Sequence, residues 1–357
     1  MIKLLIVDDS ALMRRQLSTL FEADGGFEIR QARNGKEAVS ENRSFQPDVV
    51  TLDINMPEMD GITALSLMMA ERPVPVVMVS SLTEAGALAT FEALNLGAVD
   101  YITKPGGTIS LSIGSVKDDL LSKVRAAARA RLKRSGPTTR GLAQRLKDDR
   151  QAVQAARAPV LRRASGGEGL VLIGVSTGGP RTLEDILPLL PENFPWPVLV
   201  AQHMPASFTR PFAERLDALC PLHVVEATHQ MPLEVGVVYI GKGGADMLLV
   251  RRVGKLAVLA KPENREVLWH PSVELLGRSA LEHCDPSSIV AVMLTGMGYD
   301  GADAFTEIKR RGGRTIAESE ASAVVFGMPA ELIERGGASL VLGSDKIAAQ
   351  INIWAGR

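Results

Sequence analysis

Along the first hundred residues, short uniformly apolar runs alternate with longer stretches in which apolar positions recur every three to four residues. Residues 2–7, 27–31, 49–53, 76–79 and 99–102 predict strands, and 11–21, 36–42, 62–70 and 84–96 predict the helices between them. This alternation predicts a parallel sheet with helices on both faces, because parallel neighbours need long crossover connections. The rhythm returns after Gly169, where 170–174, 198–201, 237–240 and 289–294 predict buried strands. Residues 247–252 and 255–261, flanking Val253-Gly254, predict a hairpin inserted in that pattern. Between the two halves, Leu120, Leu121 and Val124 give a helix one apolar face, fitting the last helix of the first half. After it come a Ser135-Gly136-Pro137 break, a run rich in Ala, Arg and Lys, and Ser165-Gly166-Gly167. The expected organisation is a first α/β domain over 1–134, a basic linker over 135–168 and a second α/β domain over 169–357.

A chain of 357 residues is long enough for two domains, each with its own core. Its 46% hydrophobic content and net charge of -1 give no global attraction to nucleic acid or membrane, so partners must be read from local features. The basic linker reads as a solvated face, or as a hinge or a contact for an acidic partner. Cys220 and Cys284 are too few for a disulfide framework and fit a reducing compartment. The apolar residues 1–7 run straight into Asp8-Asp9, unlike a signal peptide, and no stretch approaches the ~20 apolar residues of a membrane span. A cytoplasmic location is expected.

In an open parallel sheet, functional groups gather at the carboxyl ends of the strands. Asp8 and Asp9 end the first predicted strand, Asp53 the third and Ser80 the fourth, and Lys104 follows the fifth. Carboxylates brought together repel one another and favour a hard divalent cation such as Mg²⁺. Beside it Asp53 would be a nucleophile toward a phosphoryl group, with Lys104 pairing with one phosphoryl oxygen and the Ser80 hydroxyl bonding another. Val7-Asp8-Asp9-Ser10, Leu52-Asp53-Ile54-Asn55-Met56-Pro57 with Asp60-Gly61, and Thr103-Lys104-Pro105 resemble the response-regulator receiver pattern. The resemblance implies a flavodoxin-like doubly wound sheet and a phosphoacceptor at Asp53. It further implies Mg²⁺ held by Asp9, Asp53 and the Asn55 carbonyl with help from Asp8, Ser80 and Tyr101 as switch residues, and a histidine kinase as phosphodonor.

In the second half, the strand at 170–174 enters Val175-Ser176-Thr177-Gly178-Gly179-Pro180, a glycine turn with Pro placed to open a helix. Ser176 at such a strand end suits a nucleophile or a phosphate cradle equally, but no Gly-x-Gly-x-x-Gly spacing and no Walker lysine accompany it. A serine nucleophile needs a base. His203 follows the next strand, and Asp300 lies in Thr295-Gly296-Met297-Gly298-Tyr299-Asp300-Gly301 after another. The other histidines, His223, His229, His270 and His283, are read as structural.

These segments, with Gln202-His203-Met204, Phe208, Phe212-Ala213-Glu214-Arg215-Leu216 and Val325-Phe326-Gly327-Met328-Pro329, are similar to the catalytic domain of the chemotaxis protein-glutamate methylesterases, the CheB-like family. Ser80-Ser81-Leu82-Thr83 in the receiver is also typical of it. The resemblance spans about 170–342 and implies an α/β methylesterase domain with a mainly parallel sheet. It implies that Ser176 attacks a glutamyl methyl ester on a chemoreceptor, that His203 is the base and that Asp300 orients it. Met297 and Thr177 would support the oxyanion, glutamine deamidation would use the same groups, and the esterase would need no cofactor. Membrane association would be indirect, through receptors, and nucleic acid is not expected as a partner.

The chain departs from the family in three stretches. Gly241-Lys242-Gly243-Gly244-Ala245-Asp246 replaces an Ala-Pro segment followed by a His. Trp269-His270-Pro271-Ser272-Val273 replaces His-Arg-Pro-Ser-Val, and Ala317-Glu318-Ser319-Glu320 replaces Ala-Gln-Asp-Glu. The first two departures motivate a competing reading, a non-catalytic phosphate sink or receptor-binding adaptor. A DNA-binding regulator would need a helix-turn-helix after the receiver, and none is evident.

Overall fold

A computed structural model describes residues 1–80, 83–104, 109–130, 169–263 and 267–356. The expected linker at 135–168 and the domain boundary at 134 lie outside the described residues. The chain divides into two compact units, Met1–Leu132 and Lys133–Arg357.

In the first unit, β1 (Ile2–Val7), β2 (Phe27–Ala32), β3 (Val49–Asp53), β4 (Val76–Ser80) and β5 (Asp100–Thr103) form a parallel sheet in the order β2-β1-β3-β4-β5. Helices α1 (Ala11–Asp24), α2 (Gly35–Ser44), α3 (Gly61–Glu71), α4 (Glu84–Leu96) and α5 (Ile109–Ala127) connect and follow them. Every residue of β3 and β4 is buried, the signature of strands covered on both faces. Helices start where a polar side chain caps them. The side chains of Ser10, Asn34, Asp60 and Thr83 accept from the N–H groups of Met13, Glu37, Thr63 and Gly86. Leu120, Leu121 and Val124 of α5 are buried, as their spacing predicts. Strand order reverses between β1 and β3, so the crevice of this flavodoxin-like sheet opens at the ends carrying Asp8, Asp9 and Asp53.

The second unit is built on a seven-stranded parallel sheet, β15-β14-β13-β6-β7-β10-β8. Its strands are β6 (Leu170–Val175), β7 (Val198–Gln202), β8 (His223–Ala227), β10 (Val237–Gly241), β13 (Ile289–Met293), β14 (Arg314–Glu318) and β15 (Leu340–Leu342). The helices are α6 (Gly179–Ile186), α7 (Ala206–Leu219), α8 (Val273–His283), α9 (Ala302–Arg310), α10 (Met328–Glu334) and α11 (Ser344–Trp354). The predicted hairpin is present as β11 (Ala245–Arg252) and β12 (Lys255–Pro262), closed by Val253 and Gly254, both at positive φ, as a two-residue type I′ turn requires. A short strand, β9 (Met231–Pro232), pairs antiparallel with β12 to complete a small second sheet.

The chain moves outward from β6 through β7 to β8 and β10, then returns to build β13, β14 and β15 on the other side of β6. The switch point lies between β6 and β13, where a doubly wound sheet opens a crevice. Leu170, Leu172, Leu199, Ala291 and Met293, all almost wholly buried, pack under that crevice with Val273 and Leu276 of α8 and Phe305 of α9. No described helix is long and apolar enough to cross a membrane.

Candidate functional site: two strand-end clusters

In the first unit, Val7 pairs with Leu52, so Asp8 and Asp53 leave adjacent strands at the same level. One carboxylate oxygen from each of Asp8, Asp9 and Asp53 lies within 4.8 Å of the others. Asp8 and Asp53 are almost wholly buried. Lys104 Nζ sits 3.0 Å from Asp8 Oδ2 and 2.8 Å from Asp53 Oδ2. Burial pushes the Asp53 carboxyl above its ordinary value, outweighing the opposing pull of Lys104 and of the Asn55 N–H. Burial alone would lower the Lys104 ammonium, but the two carboxylates outweigh it and raise it. Asp8 Oδ2 is buried and has the Lys104 ammonium 3.0 Å away, which leaves further lone pairs on the carboxylate. A buried carboxylate oxygen with spare lone pairs beside two further carboxylates fits a hard cation of the Mg²⁺ type.

Lys104 N–H donates to Ser80 O at 2.6 Å, joining the ends of β4 and β5. The Ser80 hydroxyl is buried and donates to Gly86 O of α4 at 3.1 Å. Tyr101 is buried two residues before Thr103, with the Lys123 ammonium 5.2 Å from its ring centroid, and burial pushes its phenol well above the ordinary value. The structure thus gathers Asp8, Asp9, Asp53 and Lys104 directly and places Ser80 and Tyr101 on the adjoining strands.

In the second unit, Gly174 pairs with both Ala201 and Met293, and Val175 pairs with Gln202. Ser176 and His203 therefore leave β6 and β7 side by side, with the Thr295–Asp300 loop leaving β13 on the other flank. Gly178 allows the chain to turn from Ser176 into α6, because its φ of +79° is in the left-handed region and a Cβ there would lie 2.6 Å from Val324. Ser176 N–H donates to Thr295 O at 3.0 Å, and the Thr295 hydroxyl donates to Thr177 O at 2.8 Å. Gln202, buried, donates from Nε2 to both Ser176 O (3.0 Å) and His203 O (3.1 Å), clamping the two segments together.

His203 Nε2 lies 2.8 Å from Asp300 Oδ2. Asp300 also accepts from Ser272 Oγ (3.0 Å), Val273 N–H (2.7 Å) and Glu274 N–H (3.0 Å). Burial favours the neutral acid, but His203 and these N–H donors together outweigh it and hold the Asp300 carboxyl below its ordinary value. An ionised carboxylate only accepts, so the proton on His203 resides at Nε2. Nδ1, buried and without a hydrogen-bond partner among the described residues, is the basic nitrogen left over. Trp269 stacks on the imidazole, centroids 5.7 Å apart and planes 4° from parallel. Trp269 and Tyr299 in turn meet at right angles, ring centroids 5.1 Å apart. The N–H groups of Ser176 and Gly296 are committed to Thr295 O and Val325 O, so an oxyanion would have to be met by other donors.

A carboxyl depressed in the folded state stabilises the fold above its unfolded pKa of about 3.9, and that contribution is lost as pH falls through the folded value. The second unit of the wild type should therefore lose stability more steeply than an Asp300→Asn variant as pH falls below the unfolded carboxyl value, compared by denaturant midpoints across the acid range.

Several contributors carry no sequence signal of their own. Ser272, Val273 and Glu274 hold Asp300 at the start of α8, two of them through backbone N–H groups. Glu318, wholly buried at the end of β14, accepts from Thr295 N–H at 2.9 Å and from the Ser322 hydroxyl at 2.8 Å, so one departing segment supports the Thr295–Asp300 loop. Phe208 and Phe212 of the family-like segment are wholly buried core residues. Among the other histidines, His223 bonds to Asp217 and His229 to Thr228, in keeping with structural roles.

A CheB methylesterase sequence profile matches residues 171–351, and a response regulator receiver domain profile matches residues 4–112. The protein-glutamate methylesterase/protein-glutamine glutaminase 3 of Rhodospirillum rubrum is 57% identical over 100% of this chain and 97% of its own length. A second such protein, from Rhodopseudomonas palustris, is 51% identical over 99% of this chain and 98% of its own. Among solved structures, the CheB methylesterase catalytic domain of Thermotoga maritima is 40% identical, with a TM-score of 0.51, over 53% of this chain and 99% of that domain.

Proposed function

The chain belongs to the CheB methylesterase family, with a response regulator receiver domain ahead of the esterase domain, and on that premise we propose how its residues carry the activity. It is a protein-glutamate methylesterase and protein-glutamine glutaminase acting on chemoreceptors in bacterial chemotaxis under control of phosphorylation. The observation that carries the chemistry is the buried 2.8 Å contact of His203 with Asp300, which leaves the opposite ring nitrogen free as a base beside the Ser176 strand end.

Ser176 Oγ attacks the ester carbonyl carbon while its proton passes to His203 Nδ1. The charge that develops on the imidazole is offset by Asp300, and that on the carbonyl oxygen by backbone donors, for which we assign Met297 and Thr177. A donor of this kind is worth about 3–4 kcal/mol in other hydrolases. Collapse breaks the C–O bond, and methanol leaves with the proton from His203. Water then attacks the acyl-serine and gives its proton to His203, and as the acyl–Oγ bond breaks His203 returns that proton to Ser176 Oγ, releasing the glutamate side chain as its carboxylic acid, which ionises in water. With a glutamine substrate the leaving group is ammonia. No step needs a cofactor.

In the receiver, Asp53 attacks the phosphorus of a phosphohistidine on a sensor histidine kinase, the P–N bond breaks and the phosphoryl group stays on Asp53. Asp9, Asp53 and the Asn55 carbonyl, assisted by Asp8, would hold Mg²⁺, which when bound neutralises charge on the incoming group. Lys104 pairs with a phosphoryl oxygen, and Ser80 and Tyr101 respond to the new charge. Phosphate regulates the esterase by favouring the conformation in which the second domain is active. We place the protein in the cytoplasm.

Asp53→Asn should remove stimulation of methanol release by a small phosphodonor and the incorporation of labelled phosphate. A variant stimulated as strongly as the wild type would place the phosphoacceptor elsewhere. A phosphate sink or adaptor would take up phosphate with no methanol released.

A further inference from the structure

The first two stretches that depart from the family, Gly241–Asp246 and Trp269–Val273, are remote in sequence and meet in the structure. Asp246, almost wholly buried at the start of β11, accepts on one oxygen, Oδ1, from His270 Nδ1 and from Ser272 N–H, each at 3.0 Å. His270 Nε2 lies 3.1 Å from the Val267 carbonyl, so both ring nitrogens face oxygen acceptors. Asp246 and His270 thus pin the polypeptide on both sides of Trp269 and up to Ser272.

That short segment touches both members of the His203–Asp300 pair. Trp269 covers the face of the His203 ring with parallel planes. Ser272 Oγ, Val273 N–H and Glu274 N–H grip the two oxygens of Asp300. Ser272 is the direct link, since its N–H is held by Asp246 while its hydroxyl holds Asp300. The plane of the Asp300 carboxylate sets the direction of His203 Nε2–H, and hence where the Nδ1 lone pair points.

We propose that Asp246 and His270 are positioning residues for catalysis: an acid–imidazole pair that fixes residues 269–274, and through them orients the carboxylate of Asp300 and the ring of His203. The proposal rests on the reading of His203 as the base. Freed from this anchor, the segment lets the imidazole rotate, and displacements of about 1 Å in such sites cost on the order of 100-fold in rate. An aromatic face within about 6 Å of the ring also stabilises the imidazolium formed when Ser176 is deprotonated, an interaction lost if Trp269 moves away.

The test uses the full-length protein labelled with ¹⁵N-histidine, as wild type, Asp246→Asn and His270→Gln. Five histidines make the ring nitrogen spectra assignable. The wild type should show His203 as a single form protonated at Nε2, and both variants should show it averaging between tautomers. For methanol release from methylated receptor, kcat should fall about 10- to 100-fold in Asp246→Asn, with KM within about twofold. The fall should be smaller in His270→Gln, whose amide still offers Asp246 a donor. Unchanged His203 signals together with kcat within about twofold of wild type in the variants would overturn the proposal. If Asp246→Asn does not fold, His270→Gln decides the matter alone, because its side chain is the more exposed of the pair, 13% against 2%. A wild type that releases no methanol would refute the methylesterase reading, while the nitrogen spectra, which need no substrate, would still decide the positioning role.

Discussion

Replacing Asp300 by Asn is expected to lower kcat for methanol release by about 10⁴-fold with little change in KM, the loss seen when a triad carboxylate becomes an amide. Every group around this carboxylate is a donor: His203 Nε2, Ser272 Oγ, Val273 N–H and Glu274 N–H. An amide has one acceptor oxygen, so its NH₂ must face donors on one side or the other. Turned toward Ser272 and Glu274, it leaves buried N–H groups unmatched. Turned toward His203, it forces the ring proton onto Nδ1, the nitrogen that receives the Ser176 proton in the proposed mechanism. Steady-state kinetics, with a thermal melt to show that the variant is folded, check the result. A loss below about tenfold would mean that Asp300 does not set the tautomer of His203.

Ser176→Ala is expected to reduce kcat by about 10⁶-fold, the scale set by nucleophile removal in other serine hydrolases. In the proposed mechanism Ser176, His203 and Asp300 act as a unit, so the double variant Ser176→Ala/His203→Ala should be no slower than Ser176→Ala alone. Multiplying losses would indicate independent roles, with His203 serving some step other than activation of the serine. Turnover numbers for the two single variants and the double close this cycle.

Both sheets were legible in the chain because their central strands are covered on both faces and read as unbroken apolar runs. β6, β7, β10 and β13 are buried at every residue. The edge strands of the seven-stranded sheet were not legible. β8 begins with exposed His223 and β15 is nowhere fully buried, so neither carries the run that marks a buried strand. β14 is bounded by Arg314 and Glu318, and the chemistry at its end broke the apolar signal, since Glu318 is buried to hold the Thr295 N–H.

The same division applies to the sites. Asp8, Asp53 and Ser176 each follow an apolar run directly and His203 follows one after a single Gln, so position in the sheet follows from the sequence. The groups that hold them in place do not. Val273 and Glu274 act through backbone N–H groups, which no side-chain identity announces. Trp269 and His270 belong to a loop whose course is fixed by Asp246, a residue on a different strand. The departures at 241–246 and 269–273, which suggested an altered or lost activity, instead form a hydrogen-bonded support for the pair that would perform it.

Methanol release from methylated chemoreceptor, followed with and without a small phosphodonor in wild type and Ser176→Ala, tests most directly whether one chain joins a phosphorylatable Asp53 to a Ser176 esterase. The wild type should release methanol, faster with the phosphodonor, and Ser176→Ala should release almost none in either condition. Equal release by Ser176→Ala, or a wild-type rate indifferent to the phosphodonor while Asp53 becomes phosphorylated, would contradict it.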